Sequence, residues 1–183
     1  DALNPRYQNV VGTMNWYCVD YWSRELQLDI ARLKEEVAHL IAVHPHVENF
    51  LLALRQTKKR VVLVTNAHHK SLSLKMERTR LHGHFDAVIC AHDLGLPKEH
   101  PDFWEKLQVV ESFEPATTLL VDDSLPVLRS AQTTMRLHSP PAVILSLISL
   151  SSWPGRQARP AAMLGMRGIV WVAHPQGKAA CAA

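Results

Sequence analysis

The chain has 183 residues, of which 47% are hydrophobic and 20% are charged, a balance typical of a single globular domain. It excludes an intrinsically disordered segment and a collagen-like repeat. The net charge of +3 is uneven, because all 17 acidic residues precede Ser124, whereas residues 132–183 contain five basic residues and no acidic one. The charge of the whole chain therefore gives no argument for binding to nucleic acid.

The cysteines and the apolar stretches indicate a cytoplasmic protein without membrane contact. Cys18, Cys90 and Cys181 lie far apart and form no C-x-x-C pair, which fits neither a disulfide framework nor a structural zinc site. The longest apolar stretch, residues 142–150, is much shorter than the roughly 20 residues that span a bilayer. The chain opens on Asp1 with no secretory signal, and the missing initiator methionine leads us to expect further sequence upstream.

The predicted elements change in kind near residue 44. Apolar and aromatic residues at helical spacing predict two or more helices over residues 13–41, and a further helix follows the break at residues 44–46. Three short apolar runs then predict strands at 61–64, 87–90 and 118–121, and the first and third are typical of strands buried in a parallel sheet. Helices are predicted between them, over about 70–81 and from about Pro101. The β-α-β-α-β order predicts an α/β fold with an open parallel sheet.

Polar residues follow the predicted strands. Thr65 and Asn66 end the first strand, Asp122 and Asp123 end the third, and Lys98 lies in the loop after the second. Taken singly, the threonine and the aspartates are equally well explained as helix caps, and the lysine as a solvated side chain. Because ligands bind at the carboxyl ends of parallel strands, the set as a whole predicts one site. Adjacent carboxylates suit Mg²⁺, while a hydroxyl and an ammonium group suit phosphoryl oxygens, so the pattern predicts phosphoryl transfer.

Three segments resemble, in order, the second, third and fourth motifs of the haloacid dehalogenase superfamily. They are VVLVTN at 61–66, GLPK at 95–98 and LLVDDS at 119–124. Thr65, Lys98 and Asp122 are separated by 33 and 24 residues. The closer resemblance is to the bacterial GMP/IMP 5′-nucleotidases of that superfamily, through NWYCVDYWS at 15–23 and TNAH at 65–68.

The resemblance implies a domain organisation and an activity. Residues 1–43 would form an α-helical cap region, residues 44–131 a Rossmann-like phosphatase core, and residues 132–183 a divergent tail. The implied activity is that of a Mg²⁺-dependent phosphatase, a 5′-nucleotidase for purine nucleoside monophosphates such as GMP and IMP. The implied partner is therefore a small phosphomonoester, with no nucleic acid and no membrane.

The resemblance also implies the site residues. The residues that would bind phosphate or substrate are Thr65, Asn66, Lys98 and His68. Thr65 and Lys98 would act in catalysis by stabilising the transferring group. Asp122 and Asp123 would help to hold Mg²⁺, and this pair argues against the dehalogenating branch, which works without a metal.

The first motif of the superfamily, D-x-D-G-T, has no counterpart in the chain. Its first aspartate attacks phosphorus and forms an aspartyl-phosphate, and its second acts as general acid and base. No D-x-D occurs among the 183 residues. We therefore expect an N-terminally truncated chain that is inactive alone, with an incomplete core and exposed strand edges where the first strand belongs.

The tail after residue 131 departs from the family pattern. Our hypothesis is that residues 132–183 are an out-of-frame or unrelated extension, and the alternative is a divergent tail, which includes the case of a basic interaction segment. Residues 143–148 still predict one strand, and the prolines before it are tolerable only near a sheet edge.

Two clusters have more than one interpretation. The aromatic set either stacks a purine base or forms the core of the helical region: Trp16, Tyr17, Tyr21 and Trp22. The histidine pairs at 44 and 46, 68 and 69, and 82 and 84 have no accompanying ligands at structural zinc spacing, so we do not expect them to bind metal.

Two other classes of function remain open. A chain without the nucleophile is also consistent with a non-catalytic phosphate- or nucleotide-binding module or an inactive gene fragment. An RNA-binding protein that uses the basic tail predicts binding that weakens steeply with salt.

Overall fold

A computed structural model of the chain describes residues 3–136, 143–146 and 169–173. The α-helices in these ranges are α1 (Leu3–Gln8), α2 (Met14–Tyr17), α3 (Val19–Leu26), α4 (Ile30–Glu36), α5 (Val47–Gln56), α6 (His69–Thr79), α7 (Ala91–Leu94), α8 (Pro101–Val110) and α9 (Leu125–Arg136). The strands are β1 (Arg60–Thr65), β2 (Ala87–Cys90), β3 (Leu119–Asp122), β4 (Val143–Ser146) and β5 (Ile169–Ala173). Short 3-10 helices cover Ala38–Leu40, Leu81–His84 and Pro115–Thr117. Among the described helices none is long and apolar enough to cross a membrane.

The N-terminal region is helical, as predicted, and its helices are separated by local capping. The Cys18 sulfur accepts from the backbone N–H of Tyr21 at the start of α3, and Gln27 ends that helix in the left-handed conformation at φ 54°. Asp29 begins α4 by accepting from the backbone N–H of Arg32 at 3.0 Å. Helix α1 was not predicted, because its six residues are too few to show a helical period.

The strands form one five-stranded sheet in the order β2-β1-β5-β3-β4. Strands β1 and β2 pair in parallel, as do β3 and β4, whereas β5 runs antiparallel to both β1 and β3. The Rossmann-like α/β fold class is confirmed, but the sheet is mixed rather than wholly parallel. The expectation of exposed edges at the centre of the sheet is wrong, because β5 occupies that position and pairs with the backbone of both neighbours.

Strand β4 confirms the strand predicted over residues 143–148. Among the described strands it pairs with β3 alone and forms one edge of the sheet, which is where the preceding prolines are tolerated. Helix α9 continues past residue 131 to Arg136. The hypothesis of an out-of-frame tail concerns residues 132–183, most of which lie outside the described ranges.

Helices cover both faces of β1, and this explains its unbroken apolar run. The larger cluster packs α8 and α9 on one face and includes Val62, Val64, Phe103, Trp104, Leu120 and Val127. The smaller cluster packs α5 on the other face and consists of the buried residues Leu51, Val61 and Leu81. The alternation of Val61, Val62 and Val64 between two cores holds the carboxyl end of β1 in a fixed position.

The indole of Trp104 is the largest fully buried side chain among the described residues, and its Nε1 donates to the Ser130 hydroxyl at 3.0 Å. We expect Trp104→Phe to lower the free energy of unfolding by about 1 to 3 kcal/mol, because it leaves a void and removes that hydrogen bond. Urea unfolding measures the change. Val109→Ala is the control, since Val109 is 86% exposed and its truncation should cost less than about 0.5 kcal/mol. Equal losses of unfolding free energy in both variants would contradict the burial of the Trp104 indole.

Candidate functional site

The predicted site residues Lys98 and Asp122 lie in direct contact. Strands β1 and β3 both run antiparallel to β5, so their carboxyl ends lie at the same edge of the sheet. At that edge Lys98 Nζ donates to Asp122 Oδ2 at 2.8 Å, and the two side chains are only 4% and 2% exposed. A buried ion pair of this kind places one positive and one negative charge where water is largely excluded.

Asn66 connects the end of β1 to the loop that carries Lys98. Its Oδ1 accepts from the backbone N–H of Lys98 at 2.9 Å, and its Nδ2 donates to Glu99 Oε2 at 2.8 Å. The Tyr17 hydroxyl donates to the other oxygen of the same carboxylate, Oε1, at 2.5 Å. The chain Tyr17–Glu99–Asn66 thus ties the helical region to the sheet edge.

Glu99 and the contact of Tyr17 with it were missed in the sequence. The available signal was a carboxylate directly after the predicted site residue Lys98. Tyr17 belonged to the predicted aromatic set, but its hydroxyl serves a polar contact that a stacking or core interpretation does not include.

Thr65 and Asp122 also organise the turns that follow their strands. Thr65 Oγ1 accepts from the backbone N–H of Ala67 at 3.0 Å, and Asp122 Oδ1 accepts from the backbone N–H of Ser124 at 2.7 Å. The local capping role considered for these residues is therefore present. Asp122 has further capacity, because a carboxylate has about four acceptor positions.

Asp123 and His68 lie at the periphery of this arrangement. Asp123 is exposed, unlike Asp122. His68 Nε2 is 3.6 Å from Asp20 Oδ2 in α3, and Asp20 Oδ1 accepts from Lys70 Nζ at 2.6 Å. The hydrogen bond from Lys70 lowers the pKa of Asp20, and burial lowers the pKa of His68 despite the nearby carboxylate. The structure thus places His68 between the helical region and α6.

The aromatic residues of the helical region pack on one another. Trp16 and Trp22 both contact the ring of Tyr7, at centroid distances of 5.5 and 5.8 Å, and Trp22 Nε1 donates to the Trp16 carbonyl at 3.0 Å. The same rings line an open cavity of about 350 Å³ with Tyr17 and Lys34. Burial lowers the pKa of Lys34. Both interpretations of this set thus have a structural counterpart, a packed cluster and a cavity wall.

Comparison with known proteins agrees with the fold. Residues 8–135 match a family model described as haloacid dehalogenase-like hydrolase. The proteins named GMP/IMP nucleotidase YrfG from Escherichia coli (strain K12) and from Shigella flexneri are each 36% identical over 131 residues, or 72% of this chain. The chain spans 59% of the length of these relatives. A solved structure described as a dehalogenase shares the fold at a TM-score of 0.54 and 19% identity, covering 79% of this chain and 76% of that one.

Proposed function

The chain belongs to the haloacid dehalogenase-like hydrolases, and on that basis we propose that it carries the phosphate- and metal-binding part of a Mg²⁺-dependent phosphatase. The observation that carries the proposal is the buried Lys98–Asp122 pair, held beside Asn66 at the carboxyl edge of the sheet. The proposed substrates are purine nucleoside monophosphates such as GMP and IMP. The names of the two relatives support this choice.

The phosphoryl group would be bound by the residues that end and follow β1 and by Lys98 in the loop after β2. Thr65 and Asn66 follow β1, and their hydroxyl and amide groups are donors for phosphoryl oxygens. Lys98 adds a positive charge that is already oriented by Asp122, so little reorganisation is needed when charge develops on the transferring group. In this proposal Thr65 and Lys98 are the catalytic residues of the described chain.

The oxygen donors at the end of β3 fit a Mg²⁺ ion. Asp122 and Asp123 offer carboxylate oxygens, the ligands that Mg²⁺ prefers, and Mg²⁺ usually completes its shell with waters and substrate phosphate. Asp123 is exposed and Asp122 retains acceptor positions beyond its two hydrogen bonds. When bound, the metal would supply positive charge that offsets the charge of the phosphoryl group.

The proposed reaction needs a nucleophilic carboxylate that does not occur in a D-x-D motif within these 183 residues. In an enzyme that carries this motif the aspartate oxygen would attack phosphorus and the ester bond to the nucleoside oxygen would break, with that oxygen taking a proton from the second aspartate. Water would then hydrolyse the aspartyl-phosphate. We propose that the present chain alone has no turnover.

The same proposal assigns separate roles to residues 1–43 and residues 44–131. Residues 1–43 would act as the cap over residues 44–131, with the Tyr17–Glu99 hydrogen bond as one contact between them. The cavity beside Trp16 and Tyr17 and the position of His68 against α3 are where we propose that the purine is recognised.

Calorimetry of the chain with GMP in Mg²⁺ tests the binding part of this proposal. We expect saturable binding that weakens at least about tenfold in Asp123→Asn, because a metal-binding carboxylate is lost. Asp102→Asn is the matched control, since Asp102 is also an exposed carboxylate, at the start of α8, and should leave the affinity unchanged. Equal effects of the two substitutions, or no saturable binding, would contradict the proposal that Asp123 takes part in Mg²⁺-dependent binding of GMP.

Turnover separates the phosphatase from the alternatives. A form of the chain preceded by a D-x-D-G-T strand, which would have to replace β5 between β1 and β3, should release phosphate from GMP or IMP only with Mg²⁺. No release would overturn the catalytic assignment. Binding without turnover in that form would favour a non-catalytic nucleotide-binding module. Binding to RNA that falls steeply with salt and survives Asp123→Asn would favour the RNA-binding alternative.

A further inference from the structure

Three side chains with different donor atoms meet beside the end of β2. His69 is the first residue of α6, Cys90 is the last residue of β2, and Asp93 lies in α7. The donor atoms, a ring nitrogen, a sulfur and a carboxylate oxygen, all lie within 4.8 Å of one another. These residues play no part in the function proposed above.

The fold itself brings these residues together. Because β1 and β2 pair in parallel with Thr65 opposite Cys90, the segments that follow the two strands leave the sheet side by side. His69 Nε2 and Asp93 Oδ1 are in contact at 2.8 Å across this gap. The Cys90 thiol donates to the Ala67 carbonyl at 3.1 Å, so its sulfur is held between the same two segments.

The spacing of the donors is close to that of a tetrahedral zinc site. Bonds of about 2.0 to 2.3 Å place the donors of such a site roughly 3.3 to 3.8 Å apart. The His69–Asp93 contact would have to open slightly and the wider separations to close by about 1 Å. Cys90 is buried, but the side chains of His69 and Asp93 are 54% and 60% exposed and are free to make that adjustment by rotation.

The chemistry of the donors selects the metal. A thiolate and an imidazole favour Zn²⁺ over Mg²⁺, and the thiolate and carboxylate together balance the two positive charges of the ion. Among the described residues, the Nε2 atom of the neighbouring His92 is buried and has no hydrogen-bond partner. His92 is not one of the three donors that converge.

We propose that His69, Cys90 and Asp93 bind a zinc ion, with water in the fourth position. The site is distinct from the oxygen donors Asp122 and Asp123 and takes a softer metal. Metal binding breaks the hydrogen bond from Cys90 to Ala67, and the thiol proton leaves to solvent as the sulfur–metal bond forms. The site would link the start of α6 to α7, and the proposal does not depend on the function proposed above.

Cobalt titration of the full chain under reducing conditions, without chelator, tests this site, because a thiolate ligand gives Co²⁺ a charge-transfer absorption in the near ultraviolet. The double variant C18S/C181S leaves Cys90 as the sole thiol. We expect this variant to develop the absorption with one equivalent of Co²⁺ and to lose it on addition of one equivalent of Zn²⁺. The added substitution C90S should abolish the absorption.

Substitutions at the exposed ligands separate metal binding from misfolding. We expect Asp93→Asn and His69→Gln to weaken Zn²⁺ binding at least about tenfold in calorimetry, while far-ultraviolet circular dichroism stays unchanged. His39→Gln is the control, since His39 is exposed and lies in a different part of the fold. No charge-transfer absorption in C18S/C181S, its persistence after C90S, or equal weakening in His39→Gln would overturn the proposal.

Discussion

Replacing Asp122 with alanine is expected to lower the free energy of unfolding by about 3 to 5 kcal/mol, because it leaves the buried ammonium group of Lys98 without its partner. Lys98→Met should lower the free energy of unfolding by a similar amount, because it leaves the buried carboxylate of Asp122 without its partner. The double variant K98M/D122L should cost less than the sum of the two, since replacing both members of a buried ion pair by apolar groups is often close to neutral. Urea unfolding of the three variants measures the coupling.

The Arg60–Glu111 pair is the control for this cycle. Its guanidinium makes two hydrogen bonds to the carboxylate, but the Arg60 side chain is 45% exposed. Glu111→Gln should therefore cost less than about 1 kcal/mol. The hydrogen bond to Glu111 raises the pKa of Arg60. A loss for Asp122→Ala no greater than for Glu111→Gln would show that the pair is not buried in solution.

Val170→Pro is expected to destabilise the fold by about 3 kcal/mol or more. In β5, Val170 pairs with Leu63 of β1 on one side and with Val121 of β3 on the other. Proline has no N–H to donate and is accepted in sheets almost solely at edges, so it disrupts a strand that has neighbours on both sides. Urea unfolding and the thermal midpoint report the loss.

Val170→Thr is the matched control because it keeps the backbone N–H and the branched side chain. We expect it to cost clearly less than the proline variant. If proline at residue 170 leaves the stability unchanged, β5 does not form the centre of the sheet in solution. The original expectation of exposed edges on β1 and β3 would then apply.

Strands β1, β2 and β3 were predictable because each is a short apolar run, and β1 and β3 end in polar residues. Valines at positions 61, 62 and 64 lie between two helical layers, and that environment requires apolar residues in succession rather than in alternation. The contact between Lys98 and Asp122 followed from the rule that the ends of such strands meet at one edge of the sheet. The residue types and their order in the sequence were therefore enough to predict these strands and this contact.

The parts that could not be predicted depend on contacts between distant residues. Nothing in the local composition of residues 169–173 indicates an antiparallel position between β1 and β3, because pairing is decided by the backbone groups left available in the rest of the sheet. Likewise, Glu99 is a loop carboxylate in the sequence, and only the folded chain brings it to Tyr17 and Asn66.

The central position of β5 has a consequence for how the chain folds. Before β5 is in place, β1 with β2 and β3 with β4 are two separate parallel pairs, and β5 follows all four of them in the chain. Trp171 pairs with both Val62 and Leu120, so the two pairs become one sheet through contacts of large sequence separation. Such contacts close long loops and form slowly. Until they form, the edges of β1 and β3 that later pair with β5 are open to pairing with other chains. During synthesis this chain should therefore be most prone to aggregate in the interval before residues 169–173 join the sheet.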